Sequence, residues 1–268
     1  MDRRKFTRLC SSLVAGASAL SLGLQGRSVS ANESATNESE AGSRGYPQCA
    51  LLDADGRPVT VSSLVPGSSS IFSYPYKTTP CFLLRLSAAN VNRKLFNDSH
   101  GAESDDKPVL LSDSKGNEYE WKGGVGPDQS IVAFSAICTH KMSHPARPVS
   151  HLNFRPEEKT IRSSDGKNAK ARELIYCCSE HSAYDPAAGA KVLSGPASQP
   201  LAAIELNVNA KDEIQVMGTY GSNLFDVFLE KFGFRQAIEQ GISDPYELAG
   251  DSTVITNAED YSKLRILC

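Results

Sequence analysis

From about Tyr46 onward, the chain consists of short apolar and β-branched runs separated by turn residues. Glycine, proline or aspartate occupies most of the gaps, as in Asp55-Gly56 and Gly195-Pro196. Many short strands with frequent turns are typical of an antiparallel sandwich or barrel. The pattern therefore predicts a mainly β fold over residues 46–218. The predicted strands are Val59–Val61, Ser70–Phe72, Cys81–Leu86, Ile131–Ala136, Glu173–Cys177, Leu201–Val208 and Glu213–Gly218.

Three segments depart from this strand pattern. Asn97–Asn117 is acidic and polar, and Phe154–Arg172 is strongly charged without an apolar period, so both are predicted to be exposed excursions. Asn223–Ile242 has apolar residues at helical spacing and follows a possible cap, Ser222. Its stripe either packs on its own domain or docks a partner subunit, and residues 219–268 are predicted to be a C-terminal, partly helical extension. The stripe comprises Leu224, Phe225, Phe228, Leu229 and Phe232.

The first 31 residues have the layout of a bacterial export signal. A basic head containing Arg3 and Arg4 precedes an apolar run, and Val29-Ser30-Ala31 fits a cleavage site. The paired arginines indicate the twin-arginine (Tat) pathway and hence a periplasmic location, with an uncleaved membrane anchor as the alternative. Residues 32–45 are polar and small, so they are predicted to be a disordered linker.

Composition excludes little but directs attention to the cysteines. The net charge of −3 and the 40% of hydrophobic residues are ordinary for a globular protein and do not suggest nucleic-acid binding. Six cysteines lie beyond the predicted signal, and an oxidising compartment would allow disulfides among them. The spacing leaves the pairing of Cys49, Cys81 and Cys268 open.

Two short motifs carry the chemistry. Cys138 and His140 form C-x-H in the stretch CTHKMSHP, and Cys178 and His181 form C-x2-H in YCCSEHSAYD. Each motif follows a predicted strand, so together they supply two thiolates and two imidazoles from two loops. Zinc accepts Cys2His2, but its usual pairs are spaced more widely than C-x-H. A Rieske-type [2Fe–2S] centre takes two cysteines on one iron and two histidines on the other, which matches one Cys and one His from each loop.

The chain resembles Rieske iron–sulfur proteins, and more narrowly the small subunit of arsenite oxidase. Besides the two loop motifs, the resemblance rests on Pro80–Leu86, on Gly124–Asp128 running into Ile131–Ser135, and on Tyr184-Asp185. It also includes Gly195-Pro196-Ala197, which is similar to the proline loop that covers Rieske clusters, and it spans about residues 46–218. It implies a Rieske-type β sandwich or barrel with a cluster-binding subdomain. Cys138, Cys178, His140 and His181 would be the ligands of a [2Fe–2S] cluster.

The sequence also departs from that family. Many members carry an extra cysteine in each loop, and the two form a disulfide; Ser143 and Glu180 are predicted to hold those positions here. Cys177 is predicted to be a buried apolar residue, because adjacent strand residues point to opposite faces. His144 is predicted to pack in its loop or lie at the surface, and His151 to be structural.

We expect an electron-transfer protein rather than a catalytic chain, because no Ser-His-Asp arrangement or phosphate-binding loop is present. The resemblance implies the small subunit of an arsenite-oxidase-like molybdenum oxidoreductase. Its partners would be a molybdenum-containing catalytic subunit and a periplasmic cytochrome or cupredoxin. A quinol-linked carrier of a cytochrome bc-type complex and a zinc-binding or cluster-less module are the alternatives.

Overall fold

The computed structural model describes residues 42–87, 108–162 and 166–268. The described residues form a mainly β fold with two α-helices, as the hydrophobic pattern predicts. The helices are α1 (Asn223–Gln240) and α2 (Ala258–Tyr261). The strands are β1 (Ser43–Leu52), β2 (Ser69–Ser73), β3 (Pro80–Arg85), β4 (Val109–Ser112), β5 (Glu118–Trp121), β6 (Ile131–Ser135), β7 (Val149–Ser150), β8 (Leu152–Arg155), β9 (Lys159–Arg162), β10 (Asn168–Ala171), β11 (Leu174–Cys177), β12 (Ser182–Asp185), β13 (Lys191–Ser194), β14 (Ala203–Val208), β15 (Ile214–Tyr220), β16 (Ser252–Val254), β17 (Thr256–Asn257) and β18 (Leu264–Arg265).

The larger sheet has eight strands in the order β16-β1-β15-β14-β6-β3-β2-β17. Its two edge strands, β16 and β17, are consecutive in the chain and separated only by Ile255. Because one residue joins the two edges, the sheet curves round until it is nearly closed. Closure leaves little unpaired strand edge, which would otherwise be free to pair with another chain.

Both faces of the larger sheet are buried at its central strands β3 and β6, which explains the continuous apolar runs of those two strands. In β3, Phe82 and Leu84 belong to one hydrophobic core, whereas Cys81 and Leu83 belong to another. Successive strand residues point to opposite faces, so a strand covered on both sides has no polar alternation. The first core is shared with the smaller sheet, and the second is shared with α1.

The smaller sheet has four strands in the order β13-β12-β11-β8. All of its pairs are antiparallel, and Ile175 of β11 and Tyr184 of β12 contribute to the core shared with the larger sheet. The hairpin between β11 and β12 pairs Cys177 with Ser182 and leaves a four-residue loop, 178–181. This sheet therefore carries one of the two predicted ligand motifs at its end.

The C-terminal residues are integral to the fold. The predicted helix is confirmed, and Leu224, Phe225, Phe228 and Leu229 pack in the second core, so the apolar stripe packs on its own domain. β16 and β17 then complete the larger sheet, and β18 pairs in parallel with β7. Ser222 precedes the helix but does not cap it with its side chain, because its hydroxyl bonds to Thr219 instead.

Three details of the predicted layout are wrong. Val59–Val61 is not a strand: a 3-10 turn begins at Val61, and Thr60 caps it. Phe154–Arg172 is not an exposed excursion throughout, because the end of β8 and all of β9 and β10 lie within it and Ile161 and Ala171 are buried in a third core. The folded body begins before Tyr46, since β1 starts inside the predicted linker at Ser43.

The predicted export signal and most of the predicted linker lie outside the described residues. Residues 97–107 of the predicted acidic excursion also lie outside them. Within the described ranges, no helix is both long enough and apolar enough to cross a membrane.

The packing of α1 makes a direct stability prediction. Phe228 is fully buried, so Phe228→Ala should lower the free energy of unfolding by about 3–5 kcal/mol, because it removes apolar contact and leaves a cavity. Phe234 lies on the same helix but is 80% exposed, so Phe234→Ala is the matched control and should change stability by less than about 0.5 kcal/mol. Chemical denaturation measures both, and equal effects would contradict the packing described here.

Candidate metal centre

The two predicted ligand motifs lie at the ends of different sheets. The first loop, residues 136–148, follows β6 of the larger sheet, and the second, residues 178–181, joins β11 to β12 of the smaller one. The first loop closes on itself because Cys138 N–H donates to Ser143 O at 2.9 Å and Met142 N–H donates to Cys138 O at 2.8 Å. The second closes through a 2.7 Å bond from His181 N–H to Cys177 O. Backbone geometry therefore fixes both loops locally.

The structure brings Cys138 next to Cys177. Both side chains are buried in the core shared by the two sheets, and their thiols are hydrogen-bonded to each other. Cys177 is the last residue of β11, and its side chain points into this core, whereas Cys178 leaves the strand toward the outside. The argument that the two neighbours face opposite ways is therefore confirmed. The predicted burial of Cys177 is also confirmed, but Cys178, the predicted thiolate ligand, packs against the third core instead of facing Cys138.

Each of the two thiols has backbone donors of its own loop directed at the sulfur. The N–H groups of His140 and Lys141 donate to Cys138, and those of Ser179 and Glu180 donate to Cys177. Hydrogen bonds of this kind favour the negatively charged form of the acceptor. The two loops thus provide equivalent settings for a pair of thiolates.

Tyr184 adds a side-chain donor to this pair, at the position where the sequence comparison expects it. Its hydroxyl lies 3.3 Å from Cys138 Sγ and accepts a 3.1 Å bond from Thr139 N–H. Thr139 Oγ1 donates to the carbonyl of Gln199 at 2.8 Å, so the Tyr184 proton is free to point at the sulfur. Tyr184 is fully buried, which keeps this bond out of competition with water.

The direction of its pKa shift distinguishes the thiol of Cys138 from those of Cys49 and Cys81, which are also buried. Burial raises the pKa of Cys49 to about 11, and it raises the pKa of Cys81 well above the ordinary value. The hydrogen bond from Cys177, followed by those from Tyr184 and the loop backbone, outweighs burial and lowers the pKa of Cys138. The same bond raises the pKa of Cys177, since the pair shares one proton. These donors therefore favour the thiolate form of Cys138.

His140 is the third group that fits a metal centre. Its Nδ1 atom is buried and has no hydrogen-bond partner among the described residues, although a buried polar atom of this kind normally has one. An imidazole nitrogen without a partner, on the same short loop as a thiolate, is free to bind a metal. No group of three or more His, Cys, Asp or Glu side chains that could hold a metal ion is assembled within the described ranges.

The two predicted ligands of the second loop are placed differently from the prediction. Cys178 forms a disulfide with Cys268, so it is not a thiolate in this structure. His181 is exposed, and its Nδ1 lies 3.3 Å from the Tyr176 hydroxyl and 3.9 Å from Cys268 Sγ. The sequence contained one signal for this outcome, the doublet Cys177-Cys178 at the end of a strand, where only one of two neighbours can face the core.

Contacts without a covalent bond join the two loops where the resembled family has a disulfide. Ser143 Oγ donates to Ser179 Oγ at 3.1 Å, so the residue opposite Ser143 is Ser179 rather than the predicted Glu180. Glu180 instead pairs with Lys141 at 2.7 Å, and this lysine holds the pKa of the carboxyl below its ordinary value. Both links are exposed, so salt and water weaken them.

The glycine–proline loop lies against the second ligand loop, as the resemblance implies. A Cβ on Gly195 would come within 2.5 Å of Ser182 Cα, so this close approach requires glycine. Ala197 N–H donates to Ser182 Oγ at 3.2 Å, which fixes the loop over the start of β12. The Ser182 hydroxyl is thereby engaged with this loop.

His144 anchors the first loop to α1, which confirms its predicted packing role. Its Nδ1 lies 2.8 Å from the carbonyl of Met142, and its Nε2 lies 3.1 Å from the side-chain nitrogen of Gln236. The ring also packs edge-on against Phe228. A neutral ring that donates to the carbonyl and accepts from the amide satisfies both contacts. The main-chain carbonyl of His151 accepts a bond from Cys178 N–H, a contact that does not involve the imidazole.

Comparison with known proteins adds little to this geometry. No family model matches the sequence, and no curated protein matches it. Among solved structures, the chain is similar to the soluble domain of the Rieske protein II (soxF) from Sulfolobus acidocaldarius. The identity is 21%, the similarity covers 65% of this chain and 78% of that chain, and the TM-score is 0.38. At that TM-score the similarity carries no argument about function, which must come from the side chains themselves.

The Tyr184 contact predicts a change in the acidity of Cys138. Tyr184→Phe removes a donor to a charged acceptor, a bond worth about 1.5–3 kcal/mol, and should raise the pKa of Cys138 by about 1 to 2. The ultraviolet absorbance of the thiolate, followed against pH in reduced, metal-free protein, measures it. Tyr119→Phe is the control, because the Tyr119 hydroxyl is buried without a partner among the described residues. An unchanged pKa of Cys138 in the Tyr184 variant would contradict the assigned bond.

The His144 contact predicts a loss of stability in mild acid. Burial lowers the pKa of His144, the bond to the Met142 carbonyl and the charge of Glu239 oppose that shift, and Arg235 adds to it. The unfolded chain therefore binds a proton first, so stability is full above about pH 6.5 and falls below it, by at most about 1.4 kcal/mol per pH unit. Urea unfolding at pH 7.5 and at about pH 5.5 should show this loss, and His144→Gln should reduce it. Equal losses in both proteins would assign the pH dependence to other groups.

Proposed function

We propose that this chain is an electron-transfer protein that binds a Rieske-type [2Fe–2S] cluster between its two ligand loops. The observation that carries the proposal is the buried pair Cys138 and Cys177. The two thiols come from two different sheets, and each receives two backbone N–H donors from its own loop. Such donors favour thiolate, which is the form that binds iron.

The residues present fit most of such a centre. Cys138 and Cys177 would supply the thiolates of the buried iron, and His140 has the unpartnered Nδ1 that an imidazole ligand needs. His181 is the remaining histidine of the second loop, and as a ligand it would exchange its present contact with Tyr176 for the metal. The proposed set therefore keeps three of the four residues predicted from the motifs and replaces Cys178 with Cys177.

A cluster of this kind, when bound, accepts and donates single electrons. The chain's own contribution is to exclude water from the two sulfurs, since Cys138 and Cys177 are both buried. The four backbone donors and the Tyr184 hydroxyl stabilise negative charge at the sulfurs, which makes reduction easier. His140 and His181 lie nearer the surface, so they would be the side of the site that a redox partner approaches.

The finer assignment rests on the resemblance of the sequence motifs. We propose that the protein serves as the small subunit of an arsenite-oxidase-like molybdenum oxidoreductase. It would be exported to the periplasm through the Tat pathway and would pass electrons from a molybdenum-containing subunit to a cytochrome or cupredoxin. Molybdenum that copurifies with the native protein would support this assignment. Reduction of the isolated protein by a quinol at catalytic rates would instead favour the bc-type alternative.

Metal analysis and electron paramagnetic resonance test the proposal directly. Protein purified from its native host should contain iron and acid-labile sulfide in equal amounts. After reduction it should give a rhombic signal whose average g value lies below that of the free electron, because mixed His/Cys ligation produces such a signal. Cys138→Ser and Cys177→Ser should each lose the iron, since each removes a thiolate.

Cys49→Ala is the matched control, because Cys49 is buried in the second core, whereas Cys138 and Cys177 lie in the first. It should retain the iron and the spectrum. Zinc without iron in the native protein would contradict electron transfer and leave a structural metal site. Protein with neither metal after anaerobic reconstitution with iron and sulfide would favour a cluster-less module.

A further inference from the structure

The last residues of the chain run alongside β7 and β8 and end at the second ligand loop. β18 pairs with β7, and beyond it Ile266 N–H donates to Ser150 O at 2.8 Å. The side chain of Asn153 then donates to Ile266 O at 3.1 Å. These backbone contacts bring Cys268 to the end of β11, where the two adjacent cysteines lie.

Cys268 forms a disulfide with the outer of those two cysteines. Its Cα lies 5.8 Å from that of Cys178, and its N–H group donates to Cys178 Sγ at 3.0 Å. The carbonyl of Cys268 accepts bonds from Arg155 of β8, at 3.2 Å, and from Lys159 of β9. The end of the chain is therefore held by one covalent bond and two cationic side chains.

This disulfide acts on the loop that presents Cys177. Cys177 and Cys178 are neighbours at the end of β11, so a bond that holds one outward holds the other inward. The links between the two ligand loops, Ser143 with Ser179 and Lys141 with Glu180, are exposed and non-covalent. The disulfide is the covalent restraint on the second loop within the described residues.

We propose that Cys268 is a positioning residue whose disulfide with Cys178 braces the second ligand loop from outside. The brace restrains the second loop in the arrangement in which Cys177, rather than its neighbour, faces Cys138. The part of this inference that concerns metal ligation rests on the proposed function. The disulfide and its effect on the loop are independent of that proposal.

The bond forms by thiol–disulfide exchange with a protein disulfide oxidant. The thiols of Cys178 and Cys268 give up two electrons and two protons, and the disulfide of the oxidant becomes a pair of thiols. Cys268 is exposed, so an external thiol can reach the bond and reverse the exchange.

Disulfide mapping of the full-length, oxidised protein tests the brace without any metal. Tandem mass spectrometry of non-reduced peptides should find Cys268 linked to Cys178, with Cys177 as a free thiol. The link should persist in Cys177→Ser and be lost in Cys178→Ser. A free Cys268 in freshly purified oxidised protein, or a bond from Cys268 to Cys177, would overturn the inference.

Hydrogen exchange tests the effect on the loop. Cys268→Ser should speed exchange of the amides of residues 178–181 and leave those of the first loop unchanged, because only the second loop loses its restraint. Leu267→Ala is the matched control, since Leu267 is exposed and its replacement leaves the disulfide intact. Unchanged exchange in Cys268→Ser would show that the disulfide does not position this loop.

Iron content and midpoint potential then test which cysteine is the ligand. Cys178→Ser and Cys268→Ser should both retain iron and show the same shifted midpoint, because they break the same bond, whereas Cys177→Ser should lose iron. Loss of iron in Cys178→Ser with retention in Cys177→Ser would overturn the assignment while leaving the proposed function intact. Absence of iron in the wild type would refute the proposed function alone. Disulfide mapping and hydrogen exchange would still show whether the Cys178–Cys268 bond restrains the second loop.

Discussion

Two sulfur atoms that come from different sheets must share one buried space, and the arrangement of both ligand loops follows from that constraint. Cys138 lies in the loop after β6 of the larger sheet, and Cys177 is the last residue of β11 in the smaller one. Both side chains lie in the core where the two sheets pack together. A thiolate in such a place is unfavourable unless donors replace the water it has lost. The loops supply those donors from their own backbone, and Tyr184 supplies another from the facing strand. Cys49 and Cys81 lie equally deep without such a set of donors, and burial there raises the thiol pKa.

The C-terminal segment supports this arrangement from two sides. α1 packs on the larger sheet and holds the first loop through Gln236 and Phe228, which contact His144. The last residues contact β7 and β8 and hold the second loop through Cys268. Between these two elements, β16 and β17 complete the larger sheet. Residues that resemble an appendage in the sequence therefore help to position both halves of the candidate site.

Much of the fold and half of the site could be predicted from local pattern. The strands that are buried on both faces read as apolar runs, and six of the seven predicted runs became strands, with Val59–Val61 as the exception. Phe154–Arg172 was predicted to be exposed because its charges hide a short alternation around Ile161, which needs a neighbouring sheet before it can be buried. The proximity of Cys138 and His140 could be predicted from their C-x-H spacing, and the backbone bonds that close their loop keep them together.

The sequence by itself determined the mainly β pattern, the helix after Asn223, the first ligand loop and the presence of a second loop rich in Cys and His. Only the tertiary structure decided which of two adjacent cysteines faces the core, because that choice depends on the pairing of Cys177 with Ser182 across the hairpin. It also decided that Ser179 lies opposite Ser143 and that Cys268 reaches Cys178, a contact between residues separated by 90 positions. The spacing of residues along a chain specifies neighbours within a loop or strand, whereas contacts between sheets depend on how the sheets pack.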